Sequence, residues 1–335
     1  MSRPNILFIL TDQQRWDSLG CYNTPGVHTP NLDRLAEEGV RYNQCYVNST
    51  ICTPSRASLW TGKHVTGHGV HTLHDVLPQD EVLFPEHLRK AGYDTALFGK
   101  LHVAGHIFET DNRHRYDGFN HYDWCPDPRS YRGADNAYWR WLAVHHPDIL
   151  DQISNSKRGI GHISKEGHMT TWAANATIDY LQSMQGTHRS FFCCMSVFDP
   201  HSPYDNYPLE YRDLIDGDAL PPVFNPGEPF ENRPIAHFEE HDKKGDFPSL
   251  EELKEIRIGY HAAVALIDEQ VGRVLHTLAE TGFADNTVVI FTSDHGDMLG
   301  DHGLTMKGAF MYDACTRVPM LVRWPNNPAG STINA

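Results

Sequence analysis

Several short stretches concentrate residues that could do chemistry. "LTDQQ" carries Asp12 and Gln13, and "TSDHGD" carries Asp294 and His295. Carboxylate, amide oxygen and imidazole together suit a divalent cation of the Ca²⁺, Mn²⁺ or Mg²⁺ kind. One such aspartate alone reads more readily as a turn cap or loop residue, but two of them, each followed by another donor type, favour a metal. "GKLH" places Lys100 and His102 two residues apart, "DPHSPY" supplies His201, and "DHGLTMKG" supplies Lys307. Each of these alone reads as a solvated lysine or a loop histidine. In an extended segment, residues two apart share a face, so Lys100 and His102 would aim at one point. With His201 and Lys307 they make a cage for a tetrahedral oxyanion beside the metal.

Cys52 stands in "TICTPSRASLWTGKH", before a short helix expected over roughly 55–61 and opened by Pro54. A helix N-terminus offers free N–H donors and favours negative charge. Arg56, one turn in, could fork onto an oxygen at position 52. A thiolate there could be a packed group, a metal ligand, a nucleophile or a precursor of something else. As a soft ligand it suits a hard cation poorly.

Positioning these residues requires a particular frame. "NILFILTD" (5–12), the segments 93–98 and 190–198, "NTVVIFTSD" (286–294) and "VPMLVRWP" (318–325) are short apolar runs that read as buried strands. "TPNLDRLAEEGV" predicts a helix with Thr29 as N-cap, Pro30 in its first turn and Gly39 as its stop. Helices are also predicted at "FPEHLRKAG", at "TTWAANATIDYLQSM" and over 251–281, where apolar residues recur at steps of three and four. This alternation implies an α/β fold with a mostly parallel sheet covered by helices on both faces. Open sheets of this kind bind ligands at the carboxyl ends of their strands, where the chemical residues fall. The stretches 105–165 and 200–250 read as long excursions that choose the substrate.

The chain has 335 residues and a formal net charge of −15, which argues against a general nucleic-acid or anionic-membrane binder. Its seven cysteines follow no framework, and no run approaches membrane-span length, so a soluble cytoplasmic protein with free thiols is expected. The adjacent Cys193 and Cys194 are expected to be inert in a buried strand. His68, His71 and His74 read equally as pocket lining or solvated loop. Trp124, Trp139 and Trp141 read as core or lid packing, and Asp301 and His302 as loop stabilisers.

"CTPSRASLWTG" resembles the signature of the sulfatase family, Cys-x-Pro-Ser-Arg followed by a short helix. "NILFILTDQQ", "GKLH", "DPHSPY" and "SDHGDMLGDHGLTMKG" follow in the family's order. The resemblance implies the alkaline-phosphatase-like fold, with residues 1–335 forming the catalytic domain. The family's small C-terminal antiparallel subdomain is not found in this sequence, and further C-terminal sequence is expected.

In that family the cysteine is converted to formylglycine (3-oxoalanine), whose aldehyde hydrate is the nucleophile. The resemblance implies hydrolysis of a small-molecule sulfate ester and maturation by a formylglycine-generating enzyme, with an oligomer open. By motif, Asp12, Gln13, Asp294 and His295 resemble the ligands of one divalent metal, Ca²⁺ before Mn²⁺ or Mg²⁺, with the residue made from Cys52 as a further ligand. Arg56 resembles the group that holds the formylglycine. Lys100 and Lys307 resemble sulfate-oxygen contacts, and His102 and His201 the acid, base and oxyanion-contact histidines. Many sulfatases have Asp-Asp and Asp-Asn where this chain has Asp12-Gln13 and Asp294-His295. Relatives with Gln and His there include phosphonate monoester and phosphodiester hydrolases, which keeps phosphorus open as the alternative centre. A non-catalytic metal- and anion-binding relative is the other class, against which the intact Cys52, Pro54 and Arg56 argue.

Overall fold

The computed structural model describes residues 3–105, 113–128, 135–155, 161–224, 248–326 and 330–334. Among these residues eight strands form one sheet: β1 (Asn5–Thr11), β2 (Val40–Tyr42), β3 (Asp94–Gly99), β4 (His121–Trp124), β5 (Phe191–Ser196), β6 (Thr287–Ser293), β7 (Met320–Arg323) and β8 (Ser331–Ile333). Their order is β4-β3-β5-β1-β6-β7-β2-β8. The five strands from β4 to β6 run parallel, whereas β7 is antiparallel to both β6 and β2. Register aligns Leu10 with Ser196, Gly99 with Ser196 and Thr11 with Ser293. The carboxyl ends of the central strands therefore open along one edge.

Side chains alternate across a strand, and here both faces are apolar. Leu7, Ile9, Ala96, Phe98, Phe191, Cys193 and Met195 pack against the helices Pro30–Glu38, Ala137–His145, Met169–Ser183 and Leu250–Glu280. Phe8, Leu10, Leu97, Phe192 and Cys194 pack on the other face with Ala57 and Trp60 of helix Cys52–Thr61. Burial pushes the Cys193 and Cys194 thiols up, as expected of inert core groups. The seven cysteines are all free. No helix among the described residues is long and apolar enough to cross a membrane.

Several elements differ from their sequence-based expectation. The helix expected from Ser55 begins at Cys52, after the extended Ile51, with Pro54 inside its first turn. Proline costs nothing there, because its missing N–H would have had no helical partner. Thr29 flanks its helix but does not cap it. Its hydroxyl instead accepts from Gly20 N at 2.8 Å. The free N–H groups of Asn31 and Leu32 go to the Asp268 carboxylate, at 3.2 and 2.7 Å, from the long helix. That helix, Leu250–Glu280, opens on a Ser249–Glu252 capping box. The stretch 105–165 is no simple excursion, since it supplies β4 and the helices Ala137–His145 and Pro147–Asn155. Trp124 lies in the core on the face of helix Cys52–Thr61, and Trp139 and Trp141 pack against the core on the opposite face. Of the stretch 200–250, residues 225–247 lie outside the described residues.

Trp60 ties the signature helix to the sheet. Fully buried, it meets Phe8, Phe84 and Phe119 at ring-centroid distances of 6.0, 5.3 and 5.8 Å. Trp60→Ala is expected to destabilise the protein by about 3–5 kcal/mol, read from urea unfolding. A loss under about 1 kcal/mol would show that this helix is anchored elsewhere.

Candidate active site

The four parallel strand ends deliver the chemistry. Asp12 and Gln13 follow β1, Lys100 and His102 follow β3, His201 follows β5, and Asp294 and His295 follow β6. The connecting backbone is tied across the edge, with Asp12 N donating to Asp199 O at 3.3 Å and Lys100 N to Ser196 O at 2.9 Å. Gly99 has φ 116°, and a Cβ there would lie 1.8 Å from Ser196 O. Only glycine lets β3 turn this close to β5.

Arg56 comes up from the signature helix and is fully buried among these ends. Its Nε donates to Asp294 Oδ2 at 2.6 Å, and Nη2 to Asp12 Oδ2 at 3.3 Å. Nη1 donates to Lys100 O at 2.8 Å and Ser196 Oγ at 3.0 Å. The sequence had Arg56 forking onto position 52, but the structure directs these bonds to the two carboxylates. Both reach it from the strand ends, and a buried guanidinium is stable only when paired.

Lys100 is 1% exposed, and its Nζ donates to Asp12 Oδ2 at 2.6 Å. Burial alone would push the Asp12 carboxyl up, but the cations Lys100, Lys307 and Arg56 hold it well below its ordinary 3.8. Lys100 and His102 do not share a strand face. The chain leaves the extended conformation at Gly99, and His102 takes φ 59°. Thr53 Oγ1 donates to Leu73 O at 3.0 Å, so the 3.3 Å contact to His102 Nε2 has the ring as donor. His102 is thereby tethered next to residue 52.

Three ligand atoms, one each from Asp12, Asp294 and His295, lie within 4.8 Å of one another. Asp12 Oδ1 and Gln13 Oε1 are buried and accept no hydrogen bond, a costly arrangement unless a cation uses them. His295 Nδ1 donates to Gly296 O at 2.9 Å, which leaves its Nε2 lone pair for a cation. Lys307 Nζ lies 3.2 Å from that Nε2 and 3.7 Å from Asp12 Oδ1, so this corner already accepts positive charge. Oxygens and one imidazole suit a hard divalent ion, and the donors present fit one.

Lys307 Nζ also lies 3.6 Å from Cys52 Sγ. Burial raises the Cys52 pKa, but Lys307 and Lys100 outweigh it and the thiol falls to about 7. The site thus favours negative charge at position 52. His201 is the opposite case, since burial and Lys307 hold it well below 6.5, and it is neutral. Its Nδ1 donates to Ser202 O at 2.7 Å, so Nε2 faces the site as an acceptor.

The structure therefore brings Asp12, Gln13, Cys52, Arg56, Lys100, His102, His201, Asp294, His295 and Lys307 into one cluster. It leaves other candidates out. His68 is buried against Ser58 Oγ at 2.8 Å, and His71 and His74 are exposed. Asp301 pairs with Arg15 at 2.8 Å, and His302 stacks on Tyr312. Sequence reasoning missed Ser196, Thr53, Tyr260 and Asp297. The sequence signal for Asp297 was its place three residues after Asp294.

The low Asp12 pKa has a consequence in acid. Above the ordinary 3.8 both folded and unfolded states are ionised, and its full contribution to stability is present. As pH falls below 3.8 toward the folded value, the unfolded chain takes up the proton first and that stability is lost. Lys100→Met removes the first of the lowering charges, so acid unfolding of the metal-free protein should begin at higher pH, followed by tryptophan fluorescence. An unshifted midpoint would mean that the other cations hold Asp12 without it.

The sulfatase family model matches residues 4–335. The chain is 31% identical to an uncharacterized sulfatase of Escherichia coli, covering 97% of this chain and 63% of that protein. It is also 31% identical to an arylsulfatase of Clostridium perfringens, over 97% of this chain and 69% of the relative. A phosphonate monoester hydrolase structure from Agrobacterium radiobacter aligns with TM-score 0.80 at 27% identity, covering 99% of this chain and 70% of that one. The match runs through every strand end that carries the cluster, and the chain belongs to the sulfatase family.

Proposed function

We propose that this chain carries the catalytic site of a sulfate ester hydrolase that releases sulfate and an alcohol from a small-molecule substrate. The observation that supports it most is the convergence of Lys307 and Lys100 on residue 52, beside three metal-type ligands. Asp12, Gln13, Asp294 and His295 would hold one divalent cation, Ca²⁺ or Mn²⁺, together with an oxygen on residue 52. Bound there, a cation would supply Lewis-acid chemistry, making a hydroxyl at residue 52 more acidic and offsetting negative charge. Formylglycine, made from Cys52 by a generating enzyme and hydrated by water to a gem-diol, supplies one hydroxyl oxygen as nucleophile and a second whose deprotonation re-forms the aldehyde as the C–O bond to sulfate breaks.

The remaining roles fall to the chain's own groups. Lys100 and Lys307 hold the sulfate oxygens as charge develops on them. Lys307 is the proton donor to the departing alcohol, because neutral His201 presents a lone pair and has no proton on Nε2. His201 instead accepts a hydrogen bond from substrate. His102, tethered to Thr53 beside residue 52, is the base for the release of sulfate. Arg56 holds Asp12 and Asp294 in place. The whole of residues 1–335 acts as one catalytic domain.

A second reading is favoured by Gln13 and His295. These donors, together with the likeness to the Agrobacterium radiobacter phosphonate monoester hydrolase, support phosphorus as an alternative centre.

Protein co-expressed with a formylglycine-generating enzyme should show the modified Cys52 peptide by mass spectrometry. It should hydrolyse an aryl sulfate faster than an aryl phosphonate monoester, and the reverse order would favour the second reading. Cys52→Ser should lose multiple turnover, since serine has no second hydroxyl, and full turnover in that variant would overturn the nucleophile assignment. Lys307→Ala should lower kcat/KM for the aryl sulfate by about 10²–10³-fold.

A further inference from the structure

Gln13 is the unusual donor of the cluster. Its amide has two ends of nearly equal shape, and only the oxygen end can hold a cation. Its backbone is already pinned at φ 67°, an uncommon conformation for a residue with a side chain. Gln13 N donates to Asp294 Oδ1 at 3.1 Å, and Gln13 O accepts from Tyr260 at 2.7 Å. These bonds hold the residue but leave the rotation of its amide open.

Asp297 settles that rotation. Gln13 Nε2 donates to Asp297 Oδ2, which also accepts from the Tyr204 hydroxyl at 2.8 Å. Asp297 Oδ1 accepts from Leu299 N at 2.8 Å, so the carboxylate is held at both oxygens. Asp297 is fully buried. Both Asp297 oxygens act as acceptors, from Tyr204 and from Leu299 N, so the amide turns its nitrogen end to Asp297. The oxygen end is left buried and without a hydrogen bond.

We propose that Asp297 is a positioning residue that presents the oxygen of Gln13 to the cation. The arrangement is the amide counterpart of a carboxylate that orients a metal-bound histidine. It rests on the cation site proposed above.

The test is calorimetric titration of the metal-free protein with MnCl₂. Asp297→Asn can offer either end of its own amide, so Gln13 is free to flip, and Mn²⁺ affinity should fall about 10–100-fold. In a Gln13→Glu background both ends of residue 13 are oxygens, and Asp297 repels them. There Asp297→Asn should leave affinity unchanged or tighten it. An equal loss in both backgrounds would mean a merely structural role and would overturn the proposal, as would unchanged affinity in the single variant.

Gln13→Glu alone gives an arm that does not depend on Asp297→Asn folding. It sets two carboxylates against each other, so Mn²⁺ should bind more weakly despite the added charge. Tighter binding would refute the proposed orientation. If the unsubstituted protein binds no Mn²⁺, the cation site and this inference fail together. Binding by that protein with no response to Asp297→Asn sinks the inference alone.

Discussion

The Arg56 guanidinium lies buried between Asp12 and Asp294, and the site is built around that contact. Adjacent strands of a sheet run about 4.8 Å apart. Parallel β1 and β6 therefore deliver two carboxylates to nearly the same place, out of water. Two such groups cannot both stay ionised without a compensating charge. Arg56 supplies it from outside the sheet, on a helix that Trp60 fastens to the lower face. The same side chain bonds Lys100 O and Ser196 Oγ, which joins β3 and β5 to the pair. One guanidinium thus registers four strand ends.

Charge is then distributed unevenly over the cluster. The cations around Asp12 keep it ionised, and the same lysines draw the Cys52 thiol down to about 7. His201, in the same field, is kept neutral. The surroundings shift each group away from its ordinary value, which is how one site can hold both proton donors and acceptors at one pH. Behind Gln13, Asp297 and Tyr260 extend this order one layer outward.

Much of the frame was legible in the sequence because its signals are local. The run Asn5–Thr11 is apolar at consecutive positions, as a strand covered on both faces must be. The helix Leu250–Glu280 shows its apolar stripe over many turns. The start of the signature helix was misjudged because Pro54 is equally compatible with the first turn and with the position before it. Thr29 looked like a cap, yet its hydroxyl goes to Gly20, and Asp268, more than two hundred residues away, does the capping. Asp297 looked like one more polar residue in a glycine-bearing loop.

By itself the sequence determined which residues stand at which strand ends, since strand periodicity and the motifs that follow each strand are written in consecutive residues. Only the tertiary structure decided which atoms meet. Arg56 turns to Asp12 and Asp294, because a buried guanidinium must find the carboxylates that the sheet places beside it. Lys100 and His102 part company, because the chain leaves the strand at Gly99 and His102 enters the left-handed region. The Gln13 amide points its oxygen away from Asp297, because both oxygens of that side chain already act as acceptors for Tyr204 and Leu299. These outcomes depend on groups brought together from distant parts of the chain, and no local pattern encodes them.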